Sequence, residues 1–237
     1  MTEPEVLVAA NRAGLLETLL QWLLHDVRNP VQTLAFLPEI ASSEDGTDGL
    51  TADWRAAFDT ACGRLGADLG LIDRLVASPA RRGALGPVDV GEVLGYLADL
   101  FATRRGGFSV DIERARRKRL PAVAAVRRDL ETALLNILLN SVEASREREG
   151  RVIVDAEVRD GELELALQDD GPGVSHELRG RLFEPLVTTK TDRSGRGLGL
   201  FSARHLLAAS GGDCRHEPTP SGTRFVIRLR VWGTTGR

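Results

Sequence analysis

The chain has 237 residues, 42% hydrophobic and 27% charged, with a formal net charge of −3. That is ordinary globular composition, enough for one large domain or two smaller ones. The slightly acidic balance argues against a general nucleic-acid binder, and no apolar run approaches the ~18 residues that span a bilayer. The opening MTEPEVLVAANRAG lacks the basic region and apolar stretch of a signal peptide, and Cys62 and Cys214 have no metal-ligand spacing. A soluble cytoplasmic protein with reduced thiols is expected.

In chain order, residues 5–41 read as one helix. Ala13, Leu16, Leu20, Leu23, Val27, Pro30, Leu34 and Leu37 recur at three- and four-residue spacings, a heptad seam with Pro30 as a kink. SSEDGTDG, Ser42 to Gly49, is a polar turn. A second helical pattern follows at Trp54, Phe58, Ala61, Leu65, Leu69, Ile72 and Val76. Two such helices make an antiparallel hairpin, which buries too little surface alone. A homodimer, with the two hairpins forming a four-helix bundle, is the expectation.

PARRGALGP, residues 79–87, reads as a linker. Beyond it come a helix over 88–102, a short strand over 108–112 and a strong helix over 129–147. Two alternating strands follow around Asp160-Gly161, a hairpin turn signal. A helix over 199–210 and a closing strand through Phe225, Ile227, Leu229 and Val231 complete the chain. The fold class is therefore α+β: a helical hairpin for dimerisation (1–78), a linker (79–87) and an α/β sandwich (88–237).

His25 stands in HDVRNP. If Leu20 and Val27 are on the seam, His25 faces outward, which argues against a core histidine but not against a plain surface one. Asp26 is placed to accept from one ring nitrogen and leave the other nucleophilic. Asn29 lies one turn along. On the helix over 129–147, Asn136, Asn140 and Glu143 form a polar stripe in an apolar pattern. It is either a wet face or a set of oxygen ligands for Mg2+ whose shell phosphates complete. DDGPG, Asp169 to Gly173, ends a strand. An aspartate there can accept from an exocyclic amine such as that of adenine, with glycines allowing close approach. GRGLGL, Gly195 to Leu200, opens a helix, where backbone N–H groups bind phosphate. Lys190 in LFEPLVTTK can reach a terminal phosphate, and the stretch after it reads as a mobile lid.

The order HDVRNP, NILLNSVEAS, DDGPG, LFEPLVTTK, GRGLGL, SGG and SGT resembles the sensor histidine kinases of two-component signalling, most like the nitrogen-regulatory branch. The resemblance covers residues 10–232. It implies a phospho-accepting His25 assisted by Asp26, and Asn29 affecting phosphorylation and dephosphorylation. It implies a magnesium ligand at Asn140 and Asn136 lining the phosphates. Asp169 would read adenine in a turn shaped by Gly171 and Gly173, and Lys190 would approach the γ-phosphate. Gly195, Gly197 and Gly199 would form the phosphate loop, with Leu198 and Thr223 also counted among the nucleotide-binding positions. ATP, Mg2+, a response regulator receiver domain and a separate sensor or input protein are the implied cofactors and partners, the last because little sequence precedes the histidine helix. No nucleic acid and no direct membrane span are implied. The ATP domain would share the sandwich of gyrase-type ATPases.

Asp170, Leu186-Val187, Ser141 and Arg196 depart from the family pattern. A phosphatase, or a phosphotransfer or scaffold protein with little kinase activity, is the alternative. An ATP-driven clamp would carry Glu where this chain has Asn136. The basic run Arg114 to Arg119 reads as a solvated loop.

Overall fold

A computed structural model describes residues 2–41, 83–102, 109–117, 119–144, 150–188 and 197–234, with isolated helical positions between 56 and 73; for 25–41 it describes the backbone alone. The chain forms two compact units, Arg12–Ser78 and a second made of Met1–Asn11 with Pro79–Arg237.

Helix α1 spans Glu3–Ala41 and runs through Pro30 without interruption. Its buried stripe is Val8, Asn11, Leu15 and Leu19, each at most 9% exposed, whereas Leu20 is 46% and Leu24 67% exposed. The seam expected at Leu16 and Leu20 is therefore out of phase with the stripe buried within the chain. The cause is visible in the doublets Leu15-Leu16, Leu19-Leu20 and Leu23-Leu24, which offer two heptad stripes one residue apart.

In the larger unit β1 (Gly86–Val88) pairs antiparallel with β3 (Val123–Ala125), so the end of the stretch read as linker is strand. Between them lie α2 (Val90–Ala102), β2 (Ser109–Asp111) and the single turn α3 (Glu113–Arg116). Arg114, Arg117 and Arg119 of the basic run are exposed. Helix α4 (Arg127–Ala144) is joined to α2 by Arg127, whose guanidinium donates to both oxygens of Glu92 at 2.9 and 3.0 Å and to Glu131 at 3.0 Å.

The main sheet follows: β4 (Arg151–Arg159), β5 (Glu162–Asp169), β6 (Asp213–Glu217) and β7 (Arg224–Arg230), in the order β2-β4-β5-β7-β6. Only β2 and β4 are parallel. The expected hairpin turn holds: Asp160 and Gly161 both have positive φ, 51° and 79°, as a two-residue primed turn requires. Helix α5 (Gly199–Ala208) packs against α4.

Alternation makes the sheet two-faced. Val152, Val154, Ala156, Leu163, Leu165, Leu167, Cys214, Phe225, Ile227 and Leu229 are all buried and share one face with Asp169. The other face carries Glu162, Glu164, Gln168, Arg215, Glu217, Arg224 and Arg228, with Ala166 and Val226 buried at its centre. Together with α4 and α5 this is the α/β sandwich that the alternating strands predict.

Candidate functional site

The site grows from the end of β5. Asp169 is 4% exposed, and burying a carboxylate demands donors. Thr223 N–H donates to Oδ1 at 2.8 Å and Gly171 N–H at 3.0 Å. The Ser141 hydroxyl lies 3.1 Å from Oδ2 and 3.3 Å from the Ile137 carbonyl. The backbone closes the frame, with Asp169 N–H donating to Thr223 O at 2.9 Å. Two donors fall on Oδ1 and one hydroxyl on Oδ2. A carboxylate has about four acceptor positions, so Oδ2 keeps one for an incoming N–H.

This frame explains its glycines. At Gly222, φ is +74° and an added Cβ would stand 1.8 Å from the Asp169 carbonyl oxygen; at Gly173, φ is +78° and a Cβ would meet Gly222 O at 3.0 Å. The turns at 169–173 and 221–223 are thus interlocked, and no side chain enters between them. Thr223 is buried and contributes through its backbone.

One residue before Ser141 on α4, Asn140 is half-buried, and among the described residues its carboxamide has no hydrogen-bond partner. Asn136 contrasts with it. It is 4% exposed, its Nδ2 donates to Thr132 O at 2.9 Å, and its Oδ1 accepts from Asn11 Nδ2 at 3.0 Å. Gly199, the first residue of α5, lies against it: a Cβ there would stand 3.3 Å from Asn136 Oδ1. Leu198, 5% exposed, starts the helix as its carbonyl accepts from Ser202 N–H at 2.9 Å. The structure therefore brings Asn136, Asn140, Asp169, Gly171, Gly173, Leu198, Gly199 and Thr223 together on α4, the end of β5, the start of α5 and the turn before β7.

Gly197 adds a contact that sequence reasoning did not find. Its φ is +64°, its carbonyl accepts from Leu186 N–H at 2.9 Å, and a Cβ would come within 2.6 Å of the Leu186 carbonyl carbon. Leu186 itself has φ +65° and is 68% exposed. The segment with the unusual Leu186-Val187 pair thus meets Gly197 of the glycine-rich turn through a backbone hydrogen bond.

Ser141, read as a mere departure, is a direct partner of Asp169; its place beside Asn140 was the available signal. Asp170, next in sequence to Asp169, is engaged elsewhere, its Oδ1 accepting from Arg151 N–H at 3.0 Å. Lys190, Gly195 and Arg196 lie outside the described residues, as do the side chains of His25, Asp26 and Asn29, whose backbone is helical in α1. Of the other histidines, His205 stacks on Phe201 and His216 meets the ring of Phe225 edge-on. Burial and the nearby Arg179 hold the His216 imidazole below its usual pKa. Among the described residues no cluster of His, Cys, Asp and Glu could hold a metal, and no helix is long and apolar enough to cross a membrane.

Residues 125–232 match the family of histidine kinase-, DNA gyrase B- and HSP90-like ATPases. The chain is similar to the C4-dicarboxylate transport sensor protein DctB of Rhizobium meliloti (strain 1021), 31% identical over 94% of this chain and 36% of the relative. It is also similar to the sensory histidine kinase/phosphatase NtrB of Rhizobium leguminosarum bv. phaseoli, 28% identical over 87% of this chain and 56% of the relative. The chain thus spans from about a third to just over half the length of these two proteins. Among solved structures, the histidine kinase ThkA in complex with the response regulator protein TrrA shares its fold, with a TM-score of 0.51 at 20% identity over 94% of this chain and 64% of that one. A buried strand-end aspartate framed by a serine and two glycine turns, the motif order and these likenesses agree: residues 125–232 form an ATPase-type domain of the histidine kinase, gyrase B and HSP90 kind, in a chain similar along most of its length to sensor histidine kinases.

Proposed function

We propose that the chain transfers the γ-phosphate of ATP to His25 and passes it on to an aspartate of a response regulator receiver domain. The observation that carries this reading is the Asp169 frame. Its carboxylate is buried with three donors fixed and one acceptor position open, the chemistry that reads an exocyclic amine. Asn140, unpartnered among the described residues, supplies a carboxamide oxygen one residue before Ser141. One neutral oxygen, completed by phosphates and water, suits a magnesium ion better than a transition metal. Bound there, the ion would offset phosphate charge.

In this mechanism Asp169 and the turn at Gly171–Gly173 orient the base. The N–H groups at the start of α5, with Lys190 and the turn Gly195–Gly199, hold the phosphates. Asp26 accepts from one nitrogen of His25, and the other attacks the γ-phosphorus in line. The bond from phosphorus to the bridging oxygen breaks as the nitrogen–phosphorus bond forms, and ADP leaves with the electron pair. The ThkA–TrrA complex supports a receiver domain as the next acceptor. Leu20 and Leu24, 46% and 67% exposed, support pairing of α1 with a second copy. A cytoplasmic location belongs to the same proposal. The dephosphorylating direction is a second reading, favoured by likeness to a relative named both kinase and phosphatase.

The test is incubation with γ-labelled ATP and magnesium. An acid-labile, base-stable label is expected on the wild type. His25→Ala should lose the label while still binding ATP, and Asn140→Ala should lose most of it. A label that persists in His25→Ala overturns the assignment.

A further inference from the structure

The first turns of α1 fold with the sandwich: Met1–Asn11 belongs to the same compact unit as Pro79–Arg237. Val8 is 4% and Asn11 9% exposed. Asn11 Nδ2 donates at 3.0 Å to Oδ1 of Asn136, a buried contact between residues 125 positions apart. The same oxygen lies against Gly199, where α5 begins. The Asn136 carboxamide thus stands where three elements meet: α4, the start of α5 and the start of α1. Its other end is turned back on α4 through Thr132 O.

From this geometry we infer that the first turns of α1 are a removable plug on the phosphate end of the nucleotide site, latched by Asn11 to Asn136. The inference rests on the ATP-binding reading above. With the plug seated, Asn136 is 4% exposed, so a phosphate that uses its carboxamide must first displace Asn11. Asn140, half-buried and without a partner among the described residues, needs no such release. The position at Asn140 therefore stays accessible to a metal ion, and the phosphates compete with α1 for Asn136. Competition is reciprocal: nucleotide that loosens the plug binds more weakly, by the same factor, whenever the plug is held down. Helix α1 also carries His25, so release of its first turns by ATP acts on the very element that receives the phosphate.

The experiment measures binding of the magnesium complex of a non-hydrolysable ATP analogue to the full chain, alongside hydrogen exchange of residues 3–11. Loss of one net hydrogen bond from the plugged state corresponds to tightening of about three- to tenfold. Asn11→Asp, isosteric but without a donor for Asn136, and Asn11→Ala are both expected to tighten binding by that factor. Val8→Asp should do the same by a different route. In the wild type, saturating analogue should speed amide exchange over residues 3–11. Wild-type binding that is unchanged or weakened in all three variants, or exchange over 3–11 that slows with nucleotide, overturns the plug. Absence of binding by the wild type and the variants alike overturns instead the nucleotide reading beneath it.

Discussion

The two faces of the main sheet come from the same five strands and treat charge in opposite ways. On the helix-covered face Asp169 is a deeply buried carboxylate, and it stands only where Thr223, Gly171 and Ser141 can satisfy it. On the outer face the charges form a chain. Arg215 donates to Glu217 at 2.8 Å and to Glu164 at 3.2 Å, Arg228 to Glu164 at 3.1 Å and Arg224 to Glu217 at 3.2 Å. One face concentrates its polar chemistry at a single rigid point. The other spreads it over partly exposed side chains, each contributing little. A fixed acceptor for a ligand needs the first arrangement; a soluble sheet surface needs only the second.

Substitutions on each face sharpen this contrast. The largest effect is expected at Gly222. Gly222→Ala places a methyl group inside the van der Waals envelope of Asp169 O and strains a positive φ, for a loss of about 4 kcal/mol or more. Urea unfolding reads it, and nucleotide affinity should fall with it. A near-native midpoint would mean that the interlocked turns are not rigid. Next, Phe225→Ala on the helix-covered face should cost about 3–5 kcal/mol, because a 1%-exposed ring packed edge-on against Phe183 leaves a cavity. A loss below 1 kcal/mol would show that the two faces are less different than they look.

The smallest effect is expected on the outer face. Arg215→Ala should cost at most about 1 kcal/mol at neutral pH. Burial pushes the Glu164 carboxyl up, but hydrogen bonds from Arg228 and Arg215 outweigh it and leave its pKa below the usual 4.5. For Glu217 the bond from Arg215 leads, burial opposes it, and the result is again below 4.5. A carboxyl with a depressed pKa in the folded state lends its stability in full above the unfolded value. That stability is lost as pH falls through the folded one. The wild type should therefore lose stability below about pH 4.5, and its advantage over Arg215→Ala should shrink in the same window. Thermal melts across that range check it; an advantage that grows with acidity would reverse the assignment of these pairs.

Much of this architecture was legible in the sequence, for physical reasons that also explain the gaps. β4 and β5 alternate because one face is buried and the other wet, and Asp160-Gly161 supplies the positive φ values their turn requires. Asp169 was legible as a strand-end acceptor next to glycines. β1 and β3 were not, since three residues are too few to show a period, and Val123-Ala124-Ala125 is buried on both faces. β6 reads DCRHE and looks like a loop, because as an edge strand its outer side chains are ion-pair partners. The phase of α1 was lost in its leucine doublets, which fit two stripes equally well. The bond between Asn11 and Asn136 was beyond reach, because nothing local marks a pairing across 125 positions.

The Asp169 frame also fixes when the site can exist during synthesis. Its donors come from two residues ahead (Gly171), 28 residues behind (Ser141) and 54 residues ahead (Thr223). A nascent chain that has reached Gly171 already holds the serine and the local turn, but not the turn before β7 that closes the carboxylate from the far side. Until residue 223 has left the ribosome, Asp169 must stay in water or be buried with a donor missing, and the second is expensive. The aspartate and all three of these partners lie within residues 141–223, so no shorter stretch can hold it both buried and satisfied. A chain stopped before residue 223 would carry nearly every motif and still lack the frame they describe.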